Sequence, residues 1–96
     1  MSSATESSGL ARTVTICNQR GLHARAAAKF AKCVATFDAE VTVHRDGMDV
    51  SGQSIMGLMM LAAARGAEIE IRTRGAQAEA ALDALCRLVE AKFDED

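Results

Sequence analysis

Polar and apolar residues alternate along Arg12–Cys17, with Val14 and Ile16 on one side and Thr13 and Thr15 on the other, which predicts a half-buried strand. Asn18-Gln19-Arg20-Gly21 interrupts the alternation and reads as a loop. Between Ala24 and Ala35 the period changes: Ala27, Phe30, Ala31 and Val34 fall on one helical stripe, while Arg25, Lys29 and Lys32 point elsewhere. The alanines favour helix, and lysine toward its end suits the helix dipole. Alternation returns at Glu40–Arg45, with Val41 and Val43 inward and Thr42 and His44 outward. Asp46-Gly47 is a hairpin signal, followed by a short returning strand over Met48–Ser51. Ser54–Leu61 reads as a short apolar helix that Ala62-Ala63-Ala64-Arg65 carries to a stop at Gly66. Ala67–Arg74 alternates again, with Ile69 and Ile71 inward and Glu68, Glu70 and Arg72 outward, until Gly75 breaks it. Ala76–Phe93 predicts the longest helix, burying Ala81, Leu82, Leu85, Leu88 and Val89.

The resulting order is β-α-β-β-α-β-α, with neither repeat nor internal linker. Four strands with helices on one face make a two-layer α+β domain. Periodicity assigns residues to faces but does not order the strands. Residues 11–93 form the single domain. Residues 1–10, rich in Ser, Thr and Glu, read as a flexible extension. The acidic tail, 94–96, sits poorly against the negative end of the preceding helix and is expected to fray.

A chain of 96 residues can bury one small core but not two. Its net charge of −2 and its few aromatics (Phe30, Phe37 and Phe93) argue against nucleic-acid binding, which needs basic excess or stacking platforms. Arg72 and Arg74 lie on alternate strand positions and read as a solvated face, as does His44. Cys17, Cys33 and Cys86 are scattered and form no CxxC pair, which predicts buried free thiols in a reducing cytoplasm rather than disulfides or zinc. His23 and His44 have no clustered carboxylates or thiols nearby in sequence, so no metal and no cofactor is expected. No apolar run approaches bilayer length and no signal pattern opens the chain; a cytoplasmic protein without membrane contact is expected.

Gly21-Leu22-His23-Ala24-Arg25 carries the chemistry. It puts a histidine where loop gives way to helix, with an arginine two residues on. A helix N-terminus has unpaired N–H groups and about half a positive charge, and so attracts phosphate oxygens. That field holds an imidazole at its mouth neutral and nucleophilic near neutral pH. Arg25 adds a planar fork suited to phosphate, and the N–H groups of Ala24 and Arg25 would meet the charge gained on phosphorylation. The plainer alternatives are that His23 ends a turn and Arg25 is a surface helical residue. Arg20 either assists or is a solvated loop residue. Ser54 can cap the short helix, with Ser51 the less suitable choice.

With these residues in place, the chain resembles the HPr family of histidine phosphocarriers of the phosphoenolpyruvate-dependent phosphotransferase system, from about Arg12 to Lys92. Gly21-Leu22-His23-Ala24-Arg25 resembles its active-site motif, and Ser51-Gly52-Gln53-Ser54-Ile55-Met56-Gly57-Leu58 its second signature. The run from Ser54 to Ala64 is particularly similar to the nitrogen-related branch. The resemblance implies an open-faced β-sandwich, four antiparallel strands covered on one side by three helices. It implies that His23 takes a phosphoryl group on Nδ1 from enzyme I and passes it to an enzyme IIA-type domain. Ile55, Met56 and Met60 would be the docking face, and Ser54 would match a serine that a dedicated kinase phosphorylates in some relatives. Gln53 stands where many relatives have lysine. Ala26 stands where the family usually has proline, which implies a less rigid helix start and an altered rate or phosphohistidine lifetime rather than lost function.

The expected activity is that of a monomeric carrier holding a covalent intermediate, not a stand-alone turnover enzyme. A regulatory module of the same fold, docking to targets according to its phosphorylation, is the alternative. An unrelated α+β domain in which His23 merely caps a helix is a third. A binding module without phosphoryl chemistry would need neither His23 nor Arg25.

Overall fold

The computed structural model describes residues 9–95. Four strands, β1 (Leu10–Thr15), β2 (Glu40–Arg45), β3 (Met48–Ser51) and β4 (Glu68–Arg74), form one sheet in the order β1-β4-β2-β3. Every neighbouring pair is antiparallel. Three α-helices, α1 (Ala24–Ala35), α2 (Ile55–Met60) and α3 (Ala78–Glu90), follow the predicted β-α-β-β-α-β-α order.

The alternation read from the sequence is what the sheet uses. Val14, Ile16, Val41, Val43, Ile69 and Ile71 are buried beneath the helices. They meet Ala27, Phe30 and Val34 of α1 and Leu82, Leu85 and Val89 of α3 in one core. Thr73 is the inward polar exception, and its hydroxyl donates to the Ala78 carbonyl at 2.8 Å. Asp46 (φ 51°) and Gly47 (φ 78°) are both left-handed, as a two-residue turn between β2 and β3 demands. On the open face, Arg74 bonds Glu40 at 2.6 Å, Arg72 bonds Glu70 at 2.7 Å and His44 contacts Asp49 at 2.5 Å. Arg72 and Arg74, read as a solvated face, are thus exposed residues engaged in ion pairs.

Several expected boundaries shift. Leu10, assigned to the extension, opens β1 opposite Thr73, while residues 1–8 lie outside the described residues. The short helix does not run on to Gly66 but stops at Met60. Arg45 donates to the Leu61 carbonyl at 2.9 Å, Ala62 turns left-handed at φ 52°, and Ala63 is drawn away to bond Leu22. Helix α3 is also shorter than expected. The backbone of Gln77 is held by the Asp38 carbonyl at 2.9 Å, and beyond Glu90 the chain reverses at Lys92–Asp94. Of the three free cysteines only Cys86 is buried; Cys17 and Cys33 are half-buried.

Candidate functional site

The loop before α1 is shaped by close approach. Gly21 is left-handed at φ 69°, and a Cβ there would lie 2.7 Å from the Ala63 carbonyl oxygen and 2.9 Å from the Ala64 Cα. Only glycine fits both constraints. Leu22 then buries its side chain and donates its N–H to the Ala63 carbonyl at 2.9 Å. This double anchorage leaves one residue before the helix begins, and that residue is His23.

His23 is the N-cap of α1, extended at φ −80° and ψ −177°, and its side chain makes no capping bond to the helix. The imidazole therefore stands at the positive end of the helix without neutralising it. Ala24 and Arg25 form the first turn, as the sequence predicts. Arg25 is exposed, and its guanidinium meets no partner among the described residues. Buried Ala26 occupies the third helical position, where alanine keeps the N–H that proline would remove.

Two residues complete the site that the sequence did not reveal. Asn18 is fully buried; its Nδ2 donates to the Gly21 carbonyl at 2.8 Å and to Glu95 Oε1 at 3.0 Å. Glu95 in turn lies 2.6 Å from His23 Nε2 through its Oε2. The side chains of His23 and Glu95 are only 17% and 10% exposed, so the contact is shielded from bulk water. Burial pushes the Glu95 carboxyl upward, but the hydrogen bonds from Asn18 and His23, together with the charges of His23 and Lys29, outweigh it and hold the group below its ordinary value. Asn18 Oδ1 is buried with no hydrogen-bond partner among the described residues, a cost of about 1–3 kcal/mol for such a group. The amide orientation is nevertheless fixed, since both neighbours of Nδ2 are acceptors.

The expectation that the acidic tail frays is corrected for Asp94 and Glu95, while Asp96 lies outside the described residues. Phe93 is fully buried, and Lys29 Nζ donates to its carbonyl at 2.6 Å. Lys92, Phe93 and Asp94 are left-handed at φ 58°, 53° and 60°, which folds the chain back from the end of α3 toward His23. Left-handed backbone costs about 1–2 kcal/mol per residue other than glycine, so the buried ring and the Glu95 contacts must offset it.

Helix α2 lies against α1 and begins with the predicted cap: Ser54 Oγ accepts from Gly57 N at 2.9 Å. Its Leu58 is fully buried, while Ile55, Met56, Met59 and Met60 are exposed, Met56 most of all at 74%. One helix thus presents four large apolar side chains to solvent, rimmed by no acidic or basic residue of its own.

The His23 helix mouth and the capped apolar helix belong to two helices that pack against each other, and comparison with known proteins names the fold. A family model described as "PTS HPr component phosphorylation site" matches residues 10–91. The chain belongs to the HPr family. It is similar to phosphocarrier protein NPr of Shewanella violacea, 51% identical over 86 residues, covering 90% of this chain and 94% of that one. It is also similar to phosphocarrier protein HPr of Neisseria meningitidis, 46% identical, covering 90% and 97% of the two chains. Among solved structures, HPr-C-His from Thermoanaerobacter tengcongensis superposes with a TM-score of 0.86 at 37% identity, covering 91% of this chain and 98% of that one. Membership carries the general role, that of a phosphocarrier of the phosphotransferase system working with its enzymes. The fold expected from the resemblance, an open-faced sheet with three helices on one side, is the fold observed. No helix among the described residues is long and apolar enough to cross a membrane.

Proposed function

We propose that His23 is the phosphoryl acceptor, receiving the group on Nδ1 from phosphorylated enzyme I and passing it to an enzyme IIA-type domain in the cytoplasm. The observation that carries this reading is the His23 imidazole at the uncapped mouth of α1, beside an exposed Arg25 with no partner among the described residues. The ring nitrogen attacks in line, and the protein contributes position and charge rather than covalent chemistry of its own. The N–H groups of Ala24 and Arg25 and the Arg25 guanidinium meet the incoming phosphate oxygens. A helix terminus contributes about 0.3–1 kcal/mol to an exposed charge and up to ~2 kcal/mol to a partly buried one. That magnitude suits a carrier, because much tighter stabilisation would trap the group. Ile55, Met56 and Met60 serve as the docking face, since flexible thioethers adapt to more than one partner surface.

A chase tests donor and acceptor together. Protein labelled by enzyme I is separated from phosphoenolpyruvate and mixed with a panel of enzyme IIA-type domains. The label should move to at least one of them within seconds to minutes. Label that stays on this protein or is lost only to water, with every domain competent toward another carrier, would refute onward transfer.

A further inference from the structure

We propose that Glu95 is a positioning residue for His23, holding the ring through Nε2 so that Nδ1 is the free nucleophile and the cationic ring formed on phosphorylation is balanced by a carboxylate. This rests on the carrier reading of His23 and adds to it a residue that lies 72 positions away in the chain.

Geometry and chemistry both support the assignment. An ionised carboxylate can only accept, so a contact of 2.6 Å between Glu95 Oε2 and His23 Nε2 requires the proton to sit on Nε2. A neutral ring protonated there carries its lone pair on Nδ1, and Nδ1 makes no hydrogen bond to any described residue. Among the described residues, the charged and polar groups facing the carboxylate are His23, Asn18 and Lys29. Asn18 fixes the second oxygen, Oε1, and Lys29 fixes the preceding backbone through the Phe93 carbonyl. The carboxylate is thus held at both oxygens and along its chain. Three left-handed residues, and a buried Asn18 acceptor with no partner among the described residues, are tolerated to keep it there.

In the transfer step, the Nδ1 lone pair forms the new N–P bond as the N–P bond of the donor histidine breaks. The electrons of the broken bond return to the donor ring. The proton on His23 Nε2 stays in place, so the His23 ring becomes a phosphoimidazolium with its positive charge beside the Glu95 carboxylate. On transfer to the acceptor the same steps run in reverse. The contact is therefore stronger in the charged state than in the neutral one, which is the condition for lowering the barrier. The logic is that of any carboxylate that orients an imidazole and steadies its cationic form.

The test compares wild type, Glu95→Ala and Glu95→Gln for rates of phosphoryl uptake from enzyme I, with thermal midpoints as a folding control. Glu95→Ala should lower kcat/KM by roughly 10–100-fold, chiefly through kcat, as loss of an orienting partner does elsewhere. Glu95→Gln, which keeps an accepting oxygen but no charge, should fall between. Nitrogen chemical shifts of the His23 ring, read at alkaline pH, give a signature independent of transfer. The wild type should be protonated at Nε2 alone, and Glu95→Ala should gain a form protonated at Nδ1. An unchanged rate in both variants, a faster rate (the tail then merely shields His23), or wild-type protonation at Nδ1 would overturn the proposal. If the wild type takes up no phosphate, the carrier reading fails, and the ring signature still decides the Glu95 contact.

Discussion

At the scale of single residues, the site divides cleanly between what neighbours in sequence supply and what the distant tail supplies. Arg25 belongs to the first kind. It is exposed and has no partner among the described residues, so Arg25→Ala should leave stability within about 0.5 kcal/mol of wild type by denaturant titration. The same change should slow uptake from enzyme I by roughly tenfold or more, since a charge-assisted hydrogen bond contributes about 1.5–3 kcal/mol. Equal rates in a stopped-flow comparison would remove Arg25 from the site. Glu95 belongs to the second kind. Its carboxyl is held below the ordinary value by Asn18, His23 and Lys29 against the effect of burial. Its contribution to stability is therefore complete above the unfolded-state value and is lost as pH falls through the lower folded value. The Asn18 side-chain amide resonances should report this: constant near neutral pH, then shifting in the acid range as the tail lets go. Constancy throughout the acid range would contradict the contact.

Secondary-structure elements show how far sequence reasoning reaches. Helix α1, the β2–β3 hairpin and the inward faces of β1, β2 and β4 were legible, because each follows a local period or a two-residue turn signal. The order β1-β4-β2-β3 was not, since alternation says which side a residue faces and nothing about which strand lies next door. The end of α2 was misplaced because Ala62, Ala63 and Ala64 are good helix formers; tertiary bonds from Arg45 and Leu22 claim the carbonyls there instead. The passage from loop to helix at Gly21-Leu22-His23 was legible, whereas the close backbone approach at Gly21 was not, and its geometry makes a sharp prediction. Gly21→Ala must place a Cβ within 2.7 Å of the Ala63 oxygen at a positive φ, and should destabilise by about 1–3 kcal/mol while slowing phosphoryl uptake. A neutral effect on both the denaturation midpoint and uptake would mean the loop is not held as described. On α2, Met56→Glu alters a side chain that is 74% exposed and should leave the fold intact. It should weaken docking to enzyme I by about tenfold or more in a titration, as a charge placed at the centre of an apolar contact does. Unchanged affinity would move the docking face elsewhere.

Viewed as a whole molecule, the protein is a sheet that uses one face for the core and leaves the other to ion pairs, with both chain directions converging on His23. The sequence showed the incoming half of that convergence, through Gly21, His23 and Arg25. It hid the outgoing half, because Asp94 and Glu95 look repelled by the helix that precedes them. What overrides that repulsion is a left-handed reversal anchored by the buried Phe93 ring, and no glycine or proline marks it. Core and site are thereby linked: Phe93→Ala should cost about 3–5 kcal/mol and also release Glu95 from His23. The most direct measurement of the central claim is the intact mass of the protein after incubation with phosphoenolpyruvate and enzyme I, beside His23→Ala. The wild type should gain one phosphate that is labile in acid and absent from the variant. A folded wild type that gains no mass from a phosphorylated enzyme I, or a variant that gains it equally, would contradict the assignment of His23 as the carrier.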